Sequence, residues 1–295
     1  MAQTWKCGGL RWVDGGPVLR WDGGRSSALT WGMRVAFRVA DEGVRGCAGA
    51  RGHPCPLRAV VAGRSIGARC EECARLDRAH SVAADTLADD PRPYHVYLAW
   101  FGPGLTKVGI TAVERGSARL LEQGAVCFSW LGAGPLMAAR RTEELLRAAL
   151  GVPDRIPYAV KRAVRAALPP TAAERAAEPA GLHARAAGLD GWPESLARLP
   201  FRPVDHMDAF GLAAAPPAVA EVTELAPGGA VSGELVAAAG PDLHVATGGS
   251  GQVVVLDTRL MTGWELVAAG DDELSVPVRD LRGAAQAPHE QDGLF

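Results

Sequence analysis

Tyr94-His95-Val96-Tyr97-Leu98-Ala99-Trp100, then Gly102-Pro103-Gly104, then Lys107-Val108-Gly109-Ile110-Thr111 is the stretch whose reading decides the fold. Two short runs of β-branched and aromatic residues on either side of a Gly/Pro turn predict a β-hairpin. Downstream, Ala118, Leu120, Leu121 and Ala125 recur with helical spacing, and Arg119 falls on a different face from the leucines. A second helix is expected from about Pro135 to Leu150, with Leu136, Ala139, Leu146 and Leu150 on its apolar side and Glu143 and Glu144 between them.

That order, hairpin then arginine-bearing helix then glutamate-bearing helix, resembles the catalytic core of the GIY-YIG nuclease superfamily. In the resemblance, His95-Val96-Tyr97 stands where the GIY tripeptide would be and Lys107-Val108-Gly109 where YIG would be. Arg119 fits the helix arginine and Glu143 the metal-binding glutamate. The match covers about a fifth of the chain, and it departs from the pattern at two places. The second tyrosine is Lys107, a residue some phage-type relatives also carry, and the leading glycine is His95. The whole chain is also similar to a bacterial family of unknown function that joins a Cys-rich amino-terminal region to such a core.

Phosphodiester hydrolysis needs a positioned water, a divalent cation against the developing charge and a cation near the non-bridging oxygens. Glu143 is an oxygen ligand suited to Mg²⁺ or Mn²⁺, since Mg²⁺ keeps most of its waters and often takes a single protein carboxylate. The planar fork of Arg119 suits a phosphate. By the resemblance Tyr97 positions or deprotonates the water, and Lys107 is a second phosphate contact or an activator of Tyr97. Each role has a plain competitor. Tyr97 can pack in a strand, Arg119 can pair with Glu122 or Glu143, and Arg115 can take its place. Glu144 sits ~100° further round the helix than Glu143, where solvation suits it better. His95 begins a strand on the same side as Tyr97 and reads as a structural histidine or an additional catalytic group.

Cys47, Cys55, Cys70 and Cys73 form C-x7-C-x14-C-x2-C. Tetrahedral zinc takes four thiolate or imidazole ligands, and Cys70-Glu71-Glu72-Cys73 supplies two from one turn. His53 is an alternative to Cys47 as fourth ligand. Free thiols or an iron–sulfur cluster remain open. A four-thiolate site leaves no open position, so the zinc would be structural. Cys7 and Cys127 stand alone.

The net charge of −2 conceals an uneven distribution: residues 101–185 hold 12 Lys and Arg against 7 Asp and Glu, and the balance reverses afterwards. A basic middle suits an anionic ligand, DNA or RNA among them, or a solvated helix surface. No apolar run approaches the ~20 residues of a membrane span. The first residues lack the charged and apolar regions of a signal peptide. The expectation is therefore a cytoplasmic protein without membrane contact, where clustered cysteines favour metal over disulfides. Phosphate-binding loops, dinucleotide fingerprints and His-Glu-x-x-His are absent from the sequence.

The fold class expected is α+β: a GIY-YIG-like small mixed sheet with helices, a four-cysteine zinc module and a flanking small β-barrel-like domain. Residues 1–46 read as amino-terminal β-structure, 47–88 as the zinc module and 89–170 as the core. Residues 171–217 read as an Ala/Pro-rich connector of short helices, 218–282 as a carboxy-terminal β-domain and 283–295 as a disordered tail. The strands of the two ends have similar character, which allows them to pair around an inserted core. Functionally the sequence points to a zinc-containing nucleic-acid phosphodiesterase. The alternatives are a non-catalytic nucleic-acid-binding protein and an enzyme that uses the same pocket on a small anionic substrate.

Overall fold

The computed structural model describes residues 3–79, 90–248, 251–270 and 274–281. The expected tail 283–295, residues 80–88 at the end of the zinc module and Asp89 of the linker lie outside the described residues. Among them the strands are β1 (Trp5–Val13), β2 (Gly16–Trp21), β3 (Ser26–Ala28), β4 (Arg34–Val39), β5 (Pro93–Trp100), β6 (Thr106–Ala112), β7 (Cys127–Pro135), β8 (Ala197–Arg198), β9 (Val204–Asp205), β10 (Ala218–Val222), β11 (Ala230–Ala239), β12 (Asp242–Ala246), β13 (Val253–Asp257), β14 (Glu265–Ala268) and β15 (Val278–Asp280). The helices are α1 (Glu71–Ala79), α2 (Ala118–Gln123), α3 (Leu136–Leu150), α4 (Tyr158–Val164), α5 (Ala172–Ala187), α6 (Met207–Phe210) and α7 (Thr258–Met261). The architecture is mixed α+β with two sheets and a cysteine cluster. No helix among the described residues is long and apolar enough to cross a membrane.

The smaller sheet runs β6-β5-β7-β8, with β9 also on β7. β5 is central and pairs antiparallel with both β6 and β7. Its last five side chains, Tyr97 to Trp100 and their predecessor Val96, are buried without alternation because both faces of the sheet are covered. The turn Phe101–Leu105 closes the hairpin by a bond from the Leu105 N–H to the Gly102 carbonyl and one from the Phe101 N–H to the Leu105 carbonyl, each 2.9 Å. On one face α3 packs Leu136, Ala139 and Leu146 against Val96, Leu98 and Val108. Helix α3 occupies the range its periodicity foretold.

The larger sheet has ten strands in the order β15-β10-β13-β12-β11-β4-β14-β1-β2-β3. β4 lies between β11 and β14, and β1 pairs with β14, so strands from both ends of the chain share one sheet around the inserted smaller sheet. The sheet is antiparallel apart from β10 and β13, which run parallel.

Three expectations are corrected here. No closed barrel forms among the described residues; the strand path is open. β1 gives its first residues to β14 and the rest to β2, with a register shift between Cys7 and Gly9, so the amino-terminal strands extend the sheet at one edge and do not close it. Residues 1–46, expected as β-structure throughout, are interrupted where Thr30–Met33 makes a turn, and β4 begins only at Arg34. Residues 171–217 include a 16-residue helix, α5, where short helices were expected; Thr171 and Glu174 form a capping box at its start.

Helix α4 joins the two sheets. Arg162 reaches Asp242 at 2.5 Å, Asp257 at 2.5 Å and Glu221 at 3.2 Å, and Arg165 reaches Asp242 at 2.6 Å. All five side chains are buried, so the charges compensate one another out of water.

Candidate active cleft and metal cluster

Four of the five residues expected to act together line one cleft of roughly 1070 Å³: Tyr97 from β5, Lys107 from β6, Arg119 from α2 and Glu143 from α3. Strand pairing puts Tyr97 opposite Gly109, and the tyrosine ring lies across that glycine. A Cβ at position 109 would stand 2.3 Å from Tyr97 Oη and 2.4 Å from Cζ. Glycine is therefore required there by contact with Tyr97. The side-chain amide of Gln123, at the end of α2, donates to Tyr97 Oη at 3.0 Å and fixes the phenol as an acceptor. Burial pushes the Tyr97 hydroxyl above its ordinary pKa, with the Gln123 bond and the cation of Arg119 opposing.

Lys107 Nζ donates to the Asp154 carbonyl at 3.0 Å and lies 5.7 Å from the Tyr97 ring centroid. Burial, with Arg119 nearby, lowers its amine to about 8, against the pull of Glu143 and Asp154. Glu143 is half-buried and has no ion pair within 4 Å among the described residues. Burial raises its carboxyl above the ordinary range, and Lys107 opposes the rise. Glu144, one residue on, is exposed and paired with Arg147 at 2.7 Å. The helix rotation that distinguished the two glutamates thus leaves Glu143 as the acid turned into the cleft without a partner.

Arg119 is half-exposed and meets Glu122 at 3.7 Å, while Arg115 meets the same carboxylate at 2.8 Å. Glu122 also receives Arg11 at 3.7 Å. Both arginines line the cleft with guanidinium donors left over from this shared acid. His95 does not line the cleft. Its ring stacks on Trp130 at 4.3 Å and 25°, and burial lowers its imidazole pKa. That contact gives it a packing role against Trp130.

The sequence did not single out Gln123, Tyr158 or Lys161, which complete the cleft wall. Lys161 Nζ donates to the Gln123 carbonyl at 3.0 Å and lies 3.8 Å from the Phe101 centroid and 4.4 Å from that of Tyr158. Burial, with Lys107 and Arg165 nearby, pushes this amine down to about 6. Tyr158 Oη donates to the Glu122 carbonyl at 3.0 Å. Its apolar neighbours gave no pattern by which to find it, since helix α4 is only seven residues long.

The second constellation is sulfur. The Sγ atoms of Cys47, Cys55, Cys70 and Cys73 all lie within 4.8 Å of one another. Cys55 and Cys70 are 3.8 Å apart, about the edge of a tetrahedron whose centre-to-sulfur distance is ~2.3 Å. Disulfide bonding would need ~2.05 Å. Backbone N–H groups of Gly49 and Cys70 donate to Cys47 Sγ at 3.4 and 3.2 Å, as suits a thiolate. Gly49, at φ +75°, lets the chain fold back: a Cβ there would meet the His53 carbonyl oxygen at 1.9 Å. The four cysteines can hold a metal such as zinc. His53 is not in this group; its backbone closes a tight turn on Ala50 and its side chain is exposed. Cys7 and Cys127 are buried away from the cluster, and burial raises their thiols to about 11 and about 12.

Neither the curated proteins nor the solved structures include a match to the chain. One family described as a protein of unknown function, DUF2797, matches residues 62–266. The matched stretch includes the whole cleft-bearing sheet, α4 and the Cys70–Cys73 pair, and it begins after Cys47 and Cys55. Because it spans more than half of the chain, the chain belongs to the DUF2797 family.

Proposed function

We propose that the protein is a divalent-metal-dependent nucleic-acid phosphodiesterase of GIY-YIG-like organisation, with the cysteine cluster as a structural zinc site. The observation that carries the reading is the shared cleft of Tyr97, Lys107, Arg119 and Glu143. The order hairpin, α2, β7, α3 agrees with the order of parts in the resemblance. Glu143 has the donor set for Mg²⁺ or Mn²⁺: an acid without an ion pair among the described residues, in a cleft that Glu144 and Asp154 also line but in which Lys and Arg outnumber the acids. Such an ion would supply charge stabilisation and a more acidic bound water. Arg119 and Arg115 would bind the phosphate through their free guanidinium donors. Tyr97, held as an acceptor by Gln123, keeps its own hydroxyl proton free to orient toward the cleft. Lys107 adds a cation or a neutral amine according to pH.

A second reading has an observation of its own. Lys107 stands where the resemblance would have a tyrosine, and its amine and Arg119 already bring positive charge close to Glu143. This favours a protein that binds nucleic acid, or a small anion, without cutting it. The two readings separate in one experiment. Wild type, Glu143→Gln, Arg119→Ala and Tyr97→Phe are assayed for binding and cleavage on single- and double-stranded DNA and RNA with Mg²⁺ or Mn²⁺. The nuclease reading expects cleavage that Glu143→Gln lowers by ~10²-fold or more, binding and turnover both weakened by Arg119→Ala, and turnover alone lowered by Tyr97→Phe. Binding without cleavage selects the second reading. Absence of nucleic-acid binding at low salt removes the nuclease and the nucleic-acid binder together and leaves only a small anion as ligand of the cleft.

A further inference from the structure

Glu122 on α2 serves three arginines. Arg115 and Arg119, which line the cleft, reach it at 2.8 and 3.7 Å, and Arg11 reaches it at 3.7 Å from β1. One carboxylate, 14 % exposed, thus gathers three cations whose side chains are 60 %, 43 % and 46 % exposed for Arg11, Arg115 and Arg119. Positive charge is left over at this point of the surface. Arg11 also brings a second element to the edge of the cleft, the amino-terminal strands, which lie outside the family match.

Strands β1, β2 and β3 end the larger sheet, and their two faces differ. Trp12, Leu19 and, just past β3, Leu29 turn inward and join the core. Side chains alternate along a strand, so Arg11, Val13, Val18 and Arg20, with Ser26 and Ala28 of β3, stand on the outer face, and none of them is buried. Register sets Arg11 opposite Val18 and Arg20 opposite Gly9, which makes the two arginines diagonal neighbours ~7–8 Å apart. Arg20 is exposed and has no ion pair among the described residues. The acids of this region, Asp14 and Asp22, lie in the turns that flank β2. Arg11 and Arg20 therefore carry the positive charge of Arg115 and Arg119 outward over an exposed sheet face. A small anion held by Arg115 and Arg119 does not reach Arg20. A phosphodiester strand does, because it bears negative charge at regular intervals and continues beyond the cleft.

We propose that the outer face of β1–β3 is the track along which a nucleic-acid strand leaves the cleft, with Arg11 and Arg20 on its backbone phosphates. The ligand is then a polymer of several nucleotides, not an anion of mononucleotide size. The proposal rests on the reading of the cleft as a phosphodiester site and deepens it.

The test measures binding of the full chain, without added Mg²⁺ or Mn²⁺, to a dinucleotide, a single strand of about 12 nucleotides and the matching duplex, by fluorescence anisotropy across roughly 50–300 mM salt. The wild type should bind the longer ligands more tightly than the dinucleotide. Arg20→Gln should weaken the longer ligand about fivefold near 50 mM salt and flatten the log–log salt slope by about 0.7 on the single strand or about 0.9 on the duplex, and the arm that responds identifies the strand form. Arg11→Gln should act in the same direction. Arg20→Lys should restore affinity and slope, because a backbone phosphate contact needs the charge and not a particular base. Salt slopes and affinities of Arg11→Gln and Arg20→Gln equal to wild type, or a dinucleotide bound as tightly as the longer ligands, would overturn the track and leave the cleft reading standing. A loss in Arg20→Gln that Arg20→Lys does not restore would also overturn it, as a structural effect. No binding of any of the three by the wild type would overturn the track together with the nucleic-acid reading of the cleft.

Discussion

Gly109→Ala tests the contact on which the cleft is built. The glycine pairs with Tyr97 across β5 and β6, and its backbone is not in the left-handed region, so alanine brings no backbone strain of its own. The cost is steric. The new methyl would stand 2.3 Å from Oη, 2.4 Å from Cζ and 2.8 Å from Cε2 of Tyr97. Ordinary contact begins at 3.4 Å, so the ring must move by about 1.1 Å. It has little room, being 2 % exposed and packed with Ala99, Phe101, Leu120 and Phe128. Overpacking of this kind costs about 1–3 kcal/mol, and moving Oη also breaks the bond from Gln123, whose amide is buried. A double-mutant cycle in urea separates these terms. Tyr97→Phe removes only the oxygen, and the Cζ and Cε2 clashes remain, so Gly109→Ala should cost nearly as much in that background. Tyr97→Ala removes the ring, and the same substitution should then cost less than about 0.5 kcal/mol. A Gly109→Ala protein as stable as wild type, or a cost unchanged in the Tyr97→Ala background, would refute the contact and with it the placement of Tyr97 in the cleft.

Three further outcomes follow from the geometry. Elemental analysis should find about one zinc per chain, and Cys73→Ser or a strong chelator should lower the melting temperature; a purified protein with no metal and unchanged melting on chelation removes the site. Lys161 has a folded pKa of about 6 against the ordinary 10.5, so between those values the unfolded chain holds more protons and stability rises with pH. Relative to Lys161→Met, the wild type should therefore gain stability as pH climbs from about 6 towards 10; a flat difference across that window contradicts the burial of the amine. Thr171→Ala removes the cap of α5 and should cost about 0.5–2 kcal/mol in chemical denaturation, with a neutral result speaking against the capping box.

The elements that were legible in the sequence are those whose signals are local. The Tyr94–Trp100 and Lys107–Thr111 runs flank a Gly/Pro turn, and Leu136, Ala139, Leu146 and Leu150 repeat within one helix. Cys70 and Cys73 stand three positions apart at the start of α1. What stayed hidden depends on distant chain. The place of β4 between β11 and β14 joins segments roughly two hundred residues apart or more, and edge-to-edge extension versus barrel closure is decided by β1 changing partners at Cys7–Gly9. Helix α5 was obscured by Pro179 and Gly181, which disfavour a helix locally; its capping box and its buried face of Arg175, Pro179, His183 and Ala186 prevail. In the cleft, Tyr97, Lys107, Arg119 and Glu143 were visible by order along the chain. Gln123 and Lys161 were not, because a buried amide and a buried amine follow no spacing rule. The acceptors and rings that make them tolerable come from other elements.

Helix α4 gives the two halves a common fate. One side of it presents Tyr158 and Lys161 to the cleft, and the other sends Arg162 and Arg165 into the acids of the larger sheet. Asp242 is central, since both arginines bind it and it is fully buried. The two guanidiniums hold its carboxyl below the ordinary range although burial pulls the other way. Asp242→Asn keeps the shape and removes the charge, leaving two buried cations to share Asp257 and Glu221. Breaking a buried ion network in this manner costs about 3–5 kcal/mol. If α4 is held chiefly by this network, amide exchange should accelerate along 158–164 and in Gln123, whose carbonyl Lys161 and whose side chain Tyr97 engage. Exchange within α3, which is packed on the smaller sheet by Leu136, Ala139 and Leu146, should stay slow. Equal acceleration in α3 and α4 would mean that the variant loosens the whole protein and that α4 is no separate joint. Unchanged exchange in α4 would mean that its apolar contacts suffice to hold it, and that the charges of the larger sheet have no part in shaping the cleft.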